Sequence, residues 1–132
     1  MIEKTGPVDA IWGFSQGACF AGMLMSLLHP SMASHPLRQR LPALQGLPLA
    51  GIFFSGFKAR FPQYDSIYEY RIKVPTLHIL GKEDKIVDHE RSEGLINVCE
   101  NALMLPHKGG HEIPDGEEEL EKIVEFVRMN VR

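Results

Sequence analysis

The chain is short of the features that mark several common classes of protein. It holds two cysteines among its 132 residues, Cys19 and Cys99. They lack the spacing of a metal or redox site, and both fall in apolar helical patterns, which predicts two buried free thiols and a reducing compartment. An excess of positive charge is also missing. With a net charge of -3 and lysines and arginines scattered apart from Arg38-Gln39-Arg40, nothing recommends nucleic acid or an anionic membrane surface as a partner. No apolar run approaches the roughly 20 residues of a membrane span. Met1 to Gly6 lacks the basic segment and apolar stretch of a secretory signal. A soluble cytoplasmic protein is expected, with the nucleus as a second location. Repeats, low-complexity tracts and linkers are absent, so residues 1–132 read as a single domain. What remains, 44% hydrophobic and 23% charged residues, is ordinary for a chain that buries a core.

Apolar runs and helical patterns alternate along this chain. Four runs read as strands: Val8 to Trp12, Leu49 to Phe54, Thr76 to Leu80 and Ala102 to Leu105. The second is unbroken, as in a strand covered on both faces. Gly17 to Leu28 reads as a buried helix, Arg91 to Glu100 as a moderately amphipathic one through Leu95, Ile96 and Cys99. The last helix is the clearest, with Leu120, Ile123, Val124, Val127 and Val131 at helical spacing. Asp115 and Glu118 suit a capping pair at its start, with Glu117 and Glu119 near the positive end of the dipole and Arg128 and Arg132 at the other. His29 to Pro48 carries four prolines and reads as a loop with at most a short helix. Gly56 to Lys73 is rich in aromatics. Strands separated by helices predict βαβ units and a parallel sheet, an α/β fold.

The most informative motif is Gly13-Phe14-Ser15-Gln16-Gly17, set between the first strand and the first helix. A Gly-x-Ser-x-Gly pentad at such a junction is the nucleophile elbow of α/β-hydrolases, a turn so sharp that small neighbours are required. A serine hydroxyl needs a base to take its proton, and the base needs a carboxylate to fix its tautomer. In this fold the order is Ser, acid, His, and each partner should follow a strand at the sheet's carboxyl edge. Asp84, in Gly81-Lys82-Glu83-Asp84 after the third strand, meets that condition; Glu83 and Asp88 are the alternatives, Asp88 looking more like a helix cap. His111, ending His107-Lys108-Gly109-Gly110-His111 after the fourth strand, is the matching base. His107 and His111 share a helical metal spacing, but Pro106 and Gly109-Gly110 argue against a helix, so no metal site is expected. His78 is expected to face the interior. The backbone N–H of Gln16 would supply one oxyanion donor. A second donor normally comes from a loop after an earlier strand, and the sequence shows no earlier strand.

Gly6-Pro7-Val8-Asp9-Ala10-Ile11-Trp12-Gly13-Phe14-Ser15-Gln16-Gly17-Ala18 resembles the elbow of the eukaryotic, notably fungal, serine hydrolase family that includes the ovarian-cancer-associated gene 2 protein. Ser55-Gly56-Phe57-Lys58, Pro62-Gln63-Tyr64, Pro75 to Gly81 and Gly109-Gly110-His111 look like further blocks of that family in the same order, from residue 6 to about 115. Gly-Phe-Ser-Gln-Gly alone is also similar to acyl-protein thioesterases and carboxylesterases. The resemblance implies a small α/β-hydrolase that cleaves acyl esters or thioesters, without a cofactor, with Ser15, Asp84 and His111 as nucleophile, acid and base. It also implies an acyl pocket, for which Phe57, Phe61 and Tyr64 are the candidates; packing of a crossover segment onto the sheet is the alternative use of these rings. Family members carry further strands before the elbow, with a His-Gly loop at the oxyanion hole. Met1 to Thr5 reads as the tail of the helix before the elbow strand, so a partial fold without those strands is expected.

The residues leave three readings. The first is a serine esterase or thioesterase. The second is an impaired hydrolase-like fragment that associates with a partner or a second copy through its open sheet edge. The third, a phosphate-binding α/β domain, suffers from the missing lysine of a P-loop at Gly13 to Gly17.

Overall fold

The computed structural model describes residues 8–41 and 46–131. The expected helix tail at Met1 to Thr5 and the cation Arg132 lie outside the described residues. Four parallel strands form one sheet in sequence order, β1 to β4. They are β1 (Ala10–Phe14), β2 (Ala50–Phe54), β3 (Ile72–Gly81) and β4 (Cys99–His107). The helices are α1 (Gln16–Leu27), α2 (His89–Ile96) and α3 (Glu117–Asn130). Every strand runs the same way because each connection is long enough to cross back over the sheet.

The period-two alternation of β2 divides the core into two layers. Ala50, Ile52 and Phe54 join Leu77, Ile79 and Leu105 on one face, against Ile123 and Phe126 of α3. Phe53 points the other way, into Ala18, Ala21 and Met25 of α1 and Leu95 of α2. All five β2 residues are buried, as the unbroken apolar run predicts. Phe53 is wholly buried, and truncating such a ring typically costs about 3–5 kcal/mol.

Element boundaries shift where pairing overrides local pattern. β1 runs on through Gly13 and Phe14, which pair with Phe53 and Phe54. β3 begins at Ile72 and absorbs Pro75, which lacks an N–H; the register is irregular between Ile72 and Pro75, the usual accommodation of a strand proline. The helix expected at Arg91 to Glu100 starts earlier, capped by Asp88, whose Oδ1 accepts from the Arg91 N–H at 2.9 Å. It stops at Ile96, because Cys99 and its successors are drawn into β4. The segment 29–48 contains two short 3-10 turns, Pro30–Met32 and Arg38–Arg40, and the aromatic segment a longer one, Pro62–Tyr68.

The capping pair expected at Asp115 and Glu118 is not formed. Gly116 is the N-cap and offers no side-chain bond. The carboxylate of Glu119 lies over Gly116 instead, and Glu118 pairs with Lys122 at 3.3 Å on the exposed face.

Among the described residues β1 pairs only with β2, so its outer edge is open. Trp12 on this strand is 53% exposed and rests against Phe54, ring centroids 6.2 Å apart. No helix among the described residues is long and apolar enough to cross a membrane.

Candidate active site

The carboxyl ends of β1, β3 and β4 carry Ser15, Asp84 and His111 to one place. Ser15 sits between β1 and α1 with φ 55 and ψ -115, a conformation that costs a non-glycine residue of order 1–3 kcal/mol. Its N–H donates to the Phe54 carbonyl at 2.8 Å and its own carbonyl accepts from Cys19 N–H at 3.0 Å, so strand and helix both hold the turn. Gly13 is required here: a Cβ would collide with the carbonyl of Gly17. Gly17 is not, since a Cβ there meets nothing within 4 Å. The expectation of small neighbours thus holds for one glycine of the pentad and fails for the other.

The His111 ring bridges the other two side chains. Its Nε2 lies 2.9 Å from Ser15 Oγ and its Nδ1 lies 2.9 Å from Asp84 Oδ2. A carboxylate can only accept, so Nδ1 carries the proton and Nε2 is left to accept from the serine hydroxyl. Phe14 packs on the imidazole with centroids 5.0 Å apart.

Asp84 is held as firmly as the ring. Its side chain is 2% exposed against 16% for His111. Oδ1 accepts from the N–H groups of Ile86 and Val87 at 2.9 and 2.8 Å. Burial pushes the carboxyl's pKa up. The donors from Val87, His111 and Ile86, with the charge of the imidazole, outweigh it and hold the group below its ordinary value. The site therefore favours an ionised Asp84.

Gln16 is the first residue of α1, so its N–H belongs to the turn that has no intrahelical acceptor. Next to Ser15 opens a cleft of about 880 Å³ lined by Phe14, Gln16, Cys19, Phe20, Met23, Phe57, Phe61 and Tyr64, with Arg60, Ile86, Val87 and Arg91 on its other walls. Phe57, Phe61 and Tyr64 thus border the same space as the serine.

Other expectations fare differently. His78 is buried, as expected, and bonds Thr76 Oγ1 at 2.9 Å. Cys99 is buried but Cys19 is not; it lies half-buried on the cleft wall, because α1 near Ser15 is apolar on two sides, Ala18 and Ala21 packing on the sheet and Cys19, Phe20 and Met23 bordering the cleft. Phe20, on the same helix, is 61% exposed for the same reason. Among the described residues no cluster of three His, Cys, Asp or Glu side chains could hold a metal ion. Phe14 and Arg91 have no sequence signal that singles them out. Phe14 is the free position of the pentad, and Arg91 looks like any helix-surface cation.

A parallel sheet with helices on both faces and a serine on a strained strand-to-helix turn defines the α/β-hydrolase fold. Maize (Zea mays) acyl-protein thioesterase 2 superposes with a TM-score of 0.62 at 19% identity, over 92% of this chain and 55% of that one. The chain belongs to the FSH1 serine hydrolase family, whose model matches residues 1–123. It is similar to esterase C25G4.2 of Caenorhabditis elegans, 36% identical over 96% of this chain and 54% of that protein. Human esterase OVCA2 is 30% identical over 96% of the chain and 52% of its own length. A Schizosaccharomyces pombe protein named dihydrofolate reductase is 37% identical over 86% of the chain, a match covering 23% of that larger protein. The chain therefore spans about half the length of the two esterases, and less of the third protein.

Proposed function

We propose that the protein hydrolyses carboxylic esters or thioesters of acyl chains through Ser15, His111 and Asp84. The observation that carries this reading is the imidazole placed 2.9 Å from both Ser15 Oγ and Asp84 Oδ2. Ser15 Oγ attacks the acyl carbonyl as His111 Nε2 takes its proton. Asp84 holds the Nδ1–H and stabilises the imidazolium. The Gln16 N–H donates to the oxyanion. His111 then protonates the departing alcohol or thiol, leaving an acyl-enzyme. Water, deprotonated by His111, releases the acid and restores the serine. The chemistry uses side chains and backbone alone, and Phe57, Phe61 and Tyr64 give the acyl chain an apolar wall.

Labelling with a fluorophosphonate probe tests this. Wild type takes the label and folded Ser15→Ala does not. Failure of a folded wild type to label would remove the hydrolase reading.

Among the described residues the outer edge of β1 is unpaired, which favours a second role. An unpaired strand edge is a template for another chain, and Trp12 beside it is 53% exposed. In this reading the protein associates with a second copy or a partner through β1, and Trp12→Lys lowers the mass seen by sedimentation at a given concentration.

A further inference from the structure

We infer that the cleft beside Ser15 is built for a substrate bearing an anionic group, a carboxylate or phosphate, which Arg91 binds with help from Arg60. This deepens the hydrolase reading and rests on it. The cleft walls are mostly apolar, yet among the described residues they include both arginines and no aspartate or glutamate. Among the described residues neither arginine has a carboxylate within ion-pair distance. Arg60 is exposed, whereas Arg91 is half-buried.

The surroundings of Arg91 account for only part of its guanidinium. Its Cζ lies over the Phe57 ring, 4.2 Å from the centroid. Nη1 reaches the Ile86 carbonyl at 3.5 Å, the long limit for such a bond. Nε is buried and has no acceptor among the described residues. Its positive charge also acts on Cys19, one helical turn beyond Ser15, opposing the rise that burial gives that thiol. Phe57 thus covers one side of the guanidinium, and its Nη2 and weakly held Nη1 are left to bind something else. A purely apolar acyl chain would fill the cleft and leave those nitrogens further desolvated and unpaired, which is costly. A carboxylate or phosphate oxygen satisfies them with charge-assisted bonds matched to the guanidinium fork.

The anion could sit at the far end of the acyl chain, as in a half-ester of a dicarboxylic acid. It could equally sit on the leaving group, as in a phosphopantetheine thioester. Four substrates separate these: p-nitrophenyl butyrate, mono-p-nitrophenyl glutarate, butyryl-pantetheine and butyryl-phosphopantetheine. One charged member should exceed its neutral counterpart by about tenfold in kcat/KM at low ionic strength. The glutarate would locate the anion on the acyl side and the phosphate on the leaving side. Arg91→Gln should collapse that ratio toward one, Arg91→Lys should restore part of it, and about 0.5 M salt should shrink it. Arg60 is exposed, so Arg60→Gln reads the charge contribution if Arg91→Gln does not fold. A role for Arg91 in packing alone would leave the ratio unmoved.

Equal rates for charged and neutral partners, or a preference unchanged in both glutamine variants, would overturn the inference and leave the hydrolase reading standing. Calorimetric binding of monomethyl glutarate and of phosphopantetheine to folded Ser15→Ala separates the two ideas. Binding of either that is lost on adding Arg91→Gln supports the anion site even if no ester turns over. Absence of binding by both, with no turnover, would overturn both.

Discussion

The N–H of Glu83 donates to the carbonyl of Gly109 at 3.0 Å, tying the loop that carries Asp84 to the loop that carries His111. Lys82 N–H adds a bond to the His107 carbonyl at 2.8 Å. This close seam requires Gly81, where a Cβ would run into the carbonyls of Gly110 and Gly109. Gly81→Ala should therefore push the acid and base loops apart while leaving the sheet folded. A displacement of about 1 Å at such a site can cost about 100-fold in rate, so fluorophosphonate labelling should slow by that order with little change in the circular dichroism spectrum. Labelling at the wild-type rate would show that the seam does not set the geometry.

Asp84→Asn should leave the hydrogen-bond distances nearly intact but remove the charge that fixes the Nδ1–H tautomer. A loss of about 10⁴ in kcat is expected by analogy with other triads. The substitution also bears on stability. A carboxyl whose folded pKa is depressed contributes stability above its unfolded value, and loses it as pH falls through the folded one. Acid titration of unfolding should thus be shallower in Asp84→Asn than in wild type over the range below the ordinary aspartate pKa.

The two glycines of the pentad should respond oppositely to alanine. Gly13→Ala forces a methyl against the Gly17 carbonyl and should reduce both stability and labelling. Gly17→Ala meets open space and replaces a helical glycine, so it should be neutral or stabilising by about 0.5–1 kcal/mol. Urea denaturation of both variants checks this, and a larger loss for Gly17→Ala would contradict it.

His78 makes a separate prediction. Burial lowers its pKa to about 4, below the ordinary histidine value, so the unfolded chain takes up a proton that the folded one refuses. Stability from this group is complete above the unfolded value and is lost as pH falls from there toward the folded one. The shift corresponds to something on the order of 3 kcal/mol across that window. His78→Phe should flatten the dependence, measured as the difference in urea midpoint between about pH 7 and about pH 5.

The strand cores and the order of the elements are legible in the sequence because β2, β3 and the elbow strand announce themselves by apolar runs. Cys99 is not, since Leu95, Ile96 and Cys99 also fit a helix; only pairing with Ile72 across the sheet decides for strand. The cap of α3 falls one residue later than the pattern predicts, because Asp115 and Gly116 both suit the role and the fold of the preceding loop selects between them. In the site, Ser15, Asp84 and His111 can be named because each follows a strand and carries a recognisable turn. Arg91 cannot, as its meeting with Phe57 depends on how α2 docks beside the β2 loop, a relation no local spacing records. Cys19 departs from its expected burial because a helix beginning at the elbow offers one apolar side to the sheet and another to the cleft.

The strand order leaves β2 without a member of the hydrogen-bonded chain, although it lies between β1 and β3. The loop beyond β2 instead brings Phe57, Phe61 and Tyr64 to the cleft wall. On the proposed hydrolase chemistry, the Ser15–His111–Asp84 chain and the rings of the β2 loop therefore sit on separate loops of one sheet edge, with Arg91 of α2 also on the cleft wall. A lineage can rewrite the β2 loop, lengthening it or exchanging its rings, without retuning the spacing of Ser15, Asp84 and His111. If Ser15 is the nucleophile, diversification of ligand preference at constant chemistry is the freedom this arrangement confers.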